Sequence, residues 1–219
     1  MKIYPFLQFW QFSRLSKERI GPHHQDVIST LVGSLLGDGW GEARRGSARF
    51  HIHMSSKNME YINSLHAFFS SRGYCGVKPK ISRQIAKGGA VYHSAKMRTY
   101  SFSSLLPLFQ EFYPEGGVKR VPKSVESLLT PQALAIWYMD DGGRAGEGCK
   151  LSTEAFPLED VSLLQSAIRS RYSCECTIQR HKERWCIYIP KGESATFAAI
   201  VRPFMVKSMY YKLQNYSKS

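Results

Sequence analysis

The chain has 219 residues, of which 43% are hydrophobic and 13% aromatic, so it is long enough and apolar enough to bury a folded core. It carries 30 lysines and arginines against 17 acidic residues, and the net charge of +13 points to a polyanionic partner, most simply a nucleic acid. No apolar run approaches the length of a membrane span and no basic amphipathic helix of the membrane-surface type is present, so we predict no membrane partner.

The first 21 residues are aromatic-rich, but Pro5, Gln8 and Gln11 interrupt them and no small-residue cleavage site follows. This pattern favours a packing arm over a signal peptide. Beyond the arm, helical and strand periodicities alternate. From residue 22 to residue 122 they predict, in order, a helix at 26–37, a strand at 47–55, a helix at 57–73, strands at 77–84 and 91–102 and a short helix at 104–113.

The same order returns in the rest of the chain. The patterns there predict a helix at 129–141, a strand at 148–156, a helix at 158–172, strands at 176–182 and 184–191 and a helix at 196–205. A period of about 100 residues is too long for a solenoid repeat and indicates an internal duplication. We therefore predict an α+β protein with two pseudo-symmetric halves, 22–122 and 123–219, each α-β-β-α-β-β-α in outline and packed into one compact unit.

The stretch LAIWYMDDGGR, residues 134–144, suggests metal-ion chemistry because two aspartates precede two glycines. Its YMDD letters also suit a polymerase hairpin, which needs the aspartates at a turn between two strands and a third carboxylate upstream. Here Thr130 is a good N-cap and Pro131 fits the first helical turn, so the residues before Asp140 are predicted to be helical. The pattern favours the end of a helix over a polymerase turn.

The counterpart of LAIWYMDDG in the first half is LVGSLLGDG, residues 31–39. Aligned letter for letter, Asp38 meets Asp141, and each follows an apolar helix and precedes a glycine. Both segments resemble the LAGLIDADG motif of homing endonucleases, in the monomeric, two-motif, intron-encoded form. The flanking segments YPEGGVKRVPKSVESLLT and RPFMVKSMYYKL resemble the link and the C-terminal segment of that family.

The match to the motif has departures in both copies. Gly33 fits the first glycine of the motif, whereas Ile136 replaces that glycine in the second copy. Leu36 and Met139 stand where the motif has its first aspartate. These positions affect helix packing, and the terminal aspartate that carries the chemistry is present twice.

The resemblance implies that the two motif helices pack side by side and deliver Asp38 and Asp141 to the DNA. Both aspartates are then catalytic metal ligands, one for each strand, and the carbonyl groups of Gly37 and Asp140 contribute to the same site. Two neighbouring carboxylates oppose joint ionisation, and a divalent cation relieves this repulsion. The implied cofactor is Mg²⁺, with Mn²⁺ as a substitute and with Ca²⁺ binding without supporting cleavage.

The family adds a basic residue near each half-site to stabilise charge at the reacting phosphate. By position the matching residues are Lys119 and Lys212, for which ordinary surface lysines are the alternative.

The resemblance also implies that each half presents a curved antiparallel sheet to the DNA, and that the two sheets form a saddle. Arginine and glutamine suit base edges, whereas lysine more often contacts phosphate. For any one contact, a solvated side chain is the alternative. The predicted DNA-binding residues are Arg44, Arg45, Arg49, His51, His53, Lys78, Lys80, Arg83, Gln84, His93, Lys96 and Arg98 in the first half, and Arg144, Lys150, Ser152, Gln179, Arg180, Lys182, Arg184 and Tyr188 in the second.

The function that the resemblance implies is site-specific double-strand DNA cleavage for intron homing. Such an enzyme acts as a monomer on a long asymmetric target, leaves short 3′ overhangs and is made in a chloroplast or mitochondrion. Two alternatives share the fold: a maturase that binds its own intron RNA, and a DNA-binding regulator that cuts nothing. The presence of both Asp38 and Asp141 favours the nuclease.

Overall fold

A computed structural model describes residue 15 and residues 18–85, 88–114 and 117–213, so most of the arm predicted at 1–21 lies outside the described residues. In chain order the elements are α1 (Gln25–Leu36), β1 (Gly39–Arg44), β2 (Ser47–Ser55), α2 (Met59–Ser71), β3 (Lys80–Ile85), β4 (Val91–Arg98), α3 (Leu106–Phe112), α4 (Val125–Leu128), α5 (Pro131–Asp141), β5 (Gly142–Ala145), β6 (Gly148–Ser152), α6 (Leu158–Tyr172), β7 (Thr177–His181), β8 (Arg184–Ile189) and α7 (Lys191–Val201).

These elements form two compact units, one of residues up to 23 together with 40–110, the other of 24–39 together with 111 onwards. These units are defined by contacts between residues, whereas the two halves predicted at 22–122 and 123–219 are defined by repetition of the sequence pattern. The limits of the two halves therefore remain a prediction. No helix among the described residues has the length and apolar character needed to cross a membrane.

The first unit is built on a four-stranded sheet in the order β1-β2-β4-β3, in which β4 runs antiparallel to both β2 and β3. Alternation along β2 explains its two faces, because Phe50, Ile52 and Met54 are buried while the residues between them are partly exposed. The apolar face packs against α2, which is amphipathic and buries Tyr61 and Leu65.

The second unit contains the other sheet, in the order β5-β6-β8-β7, together with α1, α5, α6 and α7. Every residue of α5 from Ala133 to Met139 is buried, so this helix runs through the core of the unit rather than along its surface. The α+β class with two antiparallel sheets is thereby confirmed.

Apart from shifts of one to four residues at the ends of other elements, three local differences separate the prediction from the structure. The strands β1 and β5, directly after the motif helices, lie outside the predicted segments because their GWGEAR and GGRA sequences are rich in glycine and poor in β-formers. The short helix α4 was not predicted. The last helix is predicted at 196–205, whereas α7 spans Lys191–Val201. The prediction starts too late because the first turn of α7 is polar. Within that turn Ser194 is buried, and its hydroxyl donates to the carbonyl oxygen of Pro190 at 3.0 Å.

Candidate active site and nucleic-acid interface

The two motif helices, α1 and α5, pack side by side within the second unit. Their backbones approach so closely at Gly33 that an added β-carbon would stand 2.4 Å from the carbonyl oxygen of Ala133 and 2.6 Å from the β-carbon of Ile136. Ile136 therefore fills the space that Gly33 leaves open. The departure of the second motif from glycine at this position is compensated by glycine in the first.

Hydrogen bonds near the starts of the two helices fix how the helices are aligned. Near their starts, Thr130 donates from Oγ1 to Ser29 Oγ at 2.8 Å, and Gln132 donates from Nε2 to Thr30 Oγ1 at 2.8 Å. Thr130 also caps α5, as predicted, by accepting from the backbone N–H of Ala133 at 3.1 Å. The partners on the two helices hold the helix ends in one register.

At the other end of the pair, Asp38 follows α1 and Asp141 is the last residue of α5. Burial, and then the charge of Asp38, raise the pKa of Asp141 to about 6, while the ammonium groups of Lys119 and Lys212 act in the opposite direction. The charge of Asp38 thus acts on the carboxyl group of Asp141, and the charges of both aspartates act on the two predicted lysines.

Each of the two lysines contacts the carboxyl-terminal end of one motif helix. Lys119 donates from Nζ to the carbonyl oxygens of Gly37 and Gly39, both at 3.0 Å. Lys212 donates from Nζ to the carbonyl oxygens of Met139 at 2.5 Å and Asp140 at 3.3 Å. Burial lowers the pKa of both lysines, and the neighbouring aspartate charges oppose that shift.

The donors gathered here suit a hard divalent cation. They are the carboxylates of Asp38 and Asp141 and the carbonyl oxygens of Gly37 and Asp140, and oxygen donors of this kind are what Mg²⁺ binds, with water and phosphate completing its shell. The same two carbonyl oxygens already attract a lysine ammonium group. Within the described ranges no group of three or more His, Cys, Asp or Glu side chains is arranged to hold a metal, so a cation at this site depends on two carboxylates.

An ion pair between the half-exposed Arg120 and the buried Asp160 holds the segment that carries Lys119. Arg120 donates from Nε and Nη2 to the carboxylate of Asp160, each at 2.9 Å, and the backbone N–H of Val121 donates to the same carboxylate at 2.9 Å. Asp160 is 3% exposed, so it is a fixed acceptor for the residues that follow Lys119. The sequence analysis did not identify Asp160. Its position four residues before Leu164, on the apolar stripe of α6, indicates a buried acid that needs a partner.

In the first unit, the strand register gathers predicted DNA-binding residues on one face. His51 lies opposite Arg98, and Lys96 lies opposite both His53 and Lys80. The residues Arg49, His51, Lys78, Lys80, Lys96 and Arg98 line a groove of about 590 Å³ on this face. Gln84 joins the same face, while Arg44 is exposed at the end of β1 and Arg45 lies in the following turn.

Two of the predicted contacts of the first unit lie on the other face of the sheet. Arg83 on β3 lies directly opposite His93 on β4. Because side chains alternate along a strand, these two residues lie on the face opposite to that of Gln84 and the groove residue Lys96. They share their face with the exposed side chain of Ile81 rather than with the groove.

The second sheet shows the same division. The pairs Lys150–Tyr188, Ser152–Cys186 and Gln179–Cys186 fall on one face, and Arg184 belongs to it by alternation. Arg180 is opposite Trp185 and Arg144 is opposite Cys149, so these two arginines start from the other face. Lys182 occupies the turn between β7 and β8 with a positive φ of 57°.

The model of the LAGLIDADG DNA endonuclease family matches residues 28–197. Cytochrome b mRNA maturase bI2 of Saccharomyces cerevisiae is 35% identical over 208 residues, which cover 90% of this chain and 49% of that protein, so the chain spans about half of its length. The intron-encoded endonuclease ai4 of Dictyostelium discoideum is 32% identical over 155 residues, which cover 68% of this chain and 98% of that protein.

Solved structures show the same fold. The homing endonuclease I-WcaI bound to its DNA recognition sequence has a TM-score of 0.81 at 22% identity, with 90% of each chain covered. I-DmoI in complex with DNA and Mn has a TM-score of 0.52 at 14% identity, covering 83% of this chain and 99% of that one.

Proposed function

The chain belongs to the LAGLIDADG DNA endonuclease family, and on that premise we propose that it is a site-specific, divalent-metal-dependent endonuclease for intron homing. It hydrolyses phosphodiester bonds in both strands of a long asymmetric target and leaves short 3′ overhangs. One observation carries this proposal: Asp38 and Asp141 lie at the ends of two packed helices, with a half-buried lysine beside each end.

The residues of this site have separate roles in the proposed reaction. Asp38 and Asp141 hold the cation, together with the carbonyl oxygens of Gly37 and Asp140. When bound, Mg²⁺ supplies Lewis acidity and lowers the pKa of water. Lys119 and Lys212 place positive charge beside the reacting phosphates and stabilise the negative charge that develops there. Lys119 also donates to the carbonyl oxygen of Gly39 and Lys212 to that of Met139, so each ammonium group keeps a contact at the site when the cation takes the carbonyl oxygens of Gly37 and Asp140.

The basic strand faces are the proposed DNA-binding surface. The groove of the first unit offers arginines for guanine edges and lysines for phosphates, and the face of Lys150, Gln179 and Tyr188 serves the second unit. Because the two sheets carry different side chains, the proposed target is asymmetric and one chain acts as a monomer.

The test uses genomic DNA from an intron-free strain of the host. The purified protein is incubated with this DNA in Mg²⁺, in parallel with the Asp38→Asn/Asp141→Asn variant and with wild type in EDTA, and new ends are sequenced. A recurrent cut with short 3′ overhangs that both controls lack is the expected result. Cutting that persists in the double variant would refute the assigned site, and absence of any cut would refute the nuclease.

A maturase activity is the second candidate, because a relative at 35% identity is named a cytochrome b mRNA maturase. In that case the chain binds its own intron RNA in addition to DNA or in place of it. Tight, specific binding of the intron transcript, without DNA cleavage, would support this candidate over the first. A regulator would instead bind one DNA sequence equally well in EDTA and cut nothing.

We further propose synthesis within an organelle. The support is the name of the same relative, since cytochrome b belongs to the electron-transport chains of organelles.

A further inference from the structure

Four side chains on β1 and β2 form a connected cluster at the surface of the first unit: Trp40, Glu42, Arg49 and His51, here called the Glu42 cluster. The carboxylate of Glu42 accepts from Arg49 Nε at 3.0 Å and from Arg49 Nη2 at 2.7 Å, and His51 Nε2 lies 3.2 Å from the same carboxylate. The ring of Trp40 stacks on His51 with 5.0 Å between centroids and 7° between planes.

The position of Glu42 calls for a functional explanation. Arg49 and His51 line the basic groove with Lys80, Lys96 and Arg98, so a carboxylate here weakens the attraction of that surface for a polyanion. Partly exposed ion pairs of this kind contribute little to stability. The side chains of Arg49 and Glu42 are 32% and 42% exposed, so neither is needed to fill the core.

The geometry leaves Nη1 of Arg49 available. Glu42 accepts from Nε and Nη2 of the guanidinium, with Nη2 near both carboxylate oxygens, whereas Nη1 donates to none of the described residues. The N–H donors of Nη1 suit the O6 and N7 acceptors of guanine in the major groove. A guanidinium that is already fixed in one plane loses less freedom on binding than a mobile one.

The rest of the cluster fixes the carboxylate itself. A carboxylate only accepts hydrogen bonds, so Nε2 of His51 is the donor in their contact. Stacking on Trp40 holds the imidazole ring of His51 in place. Hydrogen bonds from Arg49 also hold the pKa of Glu42 below its ordinary value, so the acceptor stays ionised at neutral pH.

We propose that Glu42 orients Arg49 as a guanine-reading side chain and thereby sets the base preference at one position of the DNA target. Arg49 is the specificity-determining residue, and Glu42 is a positioning residue that acts through it. The inference rests on the proposed function, because it requires a DNA target.

The experiment first selects the preferred sequence of the wild-type protein from a randomised DNA library. Dissociation constants are then measured for every single-base-pair variant of that sequence in Ca²⁺, with wild type, Glu42→Gln, Glu42→Ala and Arg49→Lys. A matched control is Glu175→Gln, which removes the same charge from the exposed Arg169–Glu175 pair, 2.9 Å apart and remote in sequence from the groove strands.

We expect wild type to prefer one G·C pair by about 5- to 100-fold, and Glu42→Gln, Glu42→Ala and Arg49→Lys to lose that preference at this pair alone. The Glu42 variants should not bind DNA more weakly at the other positions of the target, because removal of a negative charge increases the attraction of the groove for DNA. Glu175→Gln should keep the wild-type profile.

Two results would overturn the inference while leaving the proposed function standing: unchanged base preference in the Glu42 variants, or an equal loss at every position, which indicates a merely structural role. If wild type selects no sequence at all, the proposed function fails and this inference fails with it.

Discussion

Gly33 of α1 and Ile136 of α5 share one space at the crossing of the two motif helices. A β-carbon on Gly33 would stand 2.6 Å from the β-carbon of Ile136, and 2.4 Å from a backbone oxygen that has no freedom to move aside. Because these helices end in Asp38 and Asp141, the spacing of the pair at Gly33 determines the spacing of the two carboxylates.

We expect Gly33→Ala to destabilise the protein by about 1–3 kcal/mol, since overpacking outweighs the gain in helix propensity. The matched control is Gly192→Ala in the first turn of α7, where an added β-carbon meets nothing within 4 Å and a neutral or slightly stabilising effect is expected. Urea denaturation measures both variants. Equal effects at the two glycines would show that the helices tolerate a wider separation.

Lys119→Met should slow DNA cleavage by about 10²- to 10³-fold while changing target affinity little, because the ammonium group is assigned to charge that develops during the reaction. Single-turnover cleavage and equilibrium binding separate the two effects. The control is Lys123→Met, which removes the same charge from an exposed side chain nearby. A parallel loss of binding and cleavage in Lys119→Met would make this lysine an ordinary phosphate contact.

The pKa of Asp141 gives a prediction for stability in EDTA. A value of about 6 lies above that of the unfolded chain, so between about pH 4 and pH 6 the folded protein retains a proton that the unfolded chain has lost. Stability therefore falls as pH rises through this window. We expect Asp141→Asn to raise the free energy of unfolding at pH 8 by on the order of 2–3 kcal/mol, and to have no such effect near pH 4.

Denaturation at the two pH values measures this difference, and added Mg²⁺ serves as a second readout. Mg²⁺ should stabilise the wild type more than Asp141→Asn, because the variant lacks a ligand. A gain in stability that is the same at both pH values would contradict the assigned titration.

Asp160→Ala should cost about 1–3 kcal/mol, because it leaves the buried N–H of Val121 without its acceptor and leaves the half-exposed Arg120 to water. Glu159 provides the control within the same helix turn: it lies 3.9 Å from Arg120 with its side chain 82% exposed, and Glu159→Ala should change stability little. Thermal unfolding compares the two. Similar losses would mean that the pair with Glu159, and not the pair with Asp160, holds the segment of Lys119.

DNA binding should depend strongly on salt. If roughly ten phosphates are neutralised, the slope of log affinity against log salt concentration is about −9. Fluorescence anisotropy between low and moderate salt measures this slope. A slope near zero would refute a nucleic-acid partner for the basic groove.

The sequence was sufficient to predict the ends of helices that have capping residues or proline at those ends. Helix α6 agrees with its prediction at both ends, Leu158 and Tyr172, because its apolar spacing is regular and Pro157 precedes it. The start of α5 followed from Thr130 and Pro131 in the same way. The pairing of Asp38 with Asp141 came from comparing the two halves letter by letter, which needs no three-dimensional information.

Side-chain partners across elements were beyond local patterns. Glu42 lies in a glycine-flanked segment with little strand character, and its contact with Arg49 exists only because β1 returns beside β2. The faces of β3 were within reach, since alternation groups Arg83 with Ile81 rather than with Gln84. Alternation along a strand therefore distinguishes its two faces, whereas the presence of a basic residue alone does not.

The approach of Gly37 to Asp140 makes the two motif helices complementary and no longer interchangeable. A β-carbon on Gly37 would stand 2.5 Å from that of Asp140, so one helix has given up side-chain volume that the other has taken. A symmetric assembly of two α5 helices would bring two aspartates and two isoleucines into spaces that fit one of each, and two α1 helices would leave those spaces empty. Each of the two contacts therefore needs one glycine and one larger residue, and a pair of identical helices would need substitutions at both positions to pack in this way.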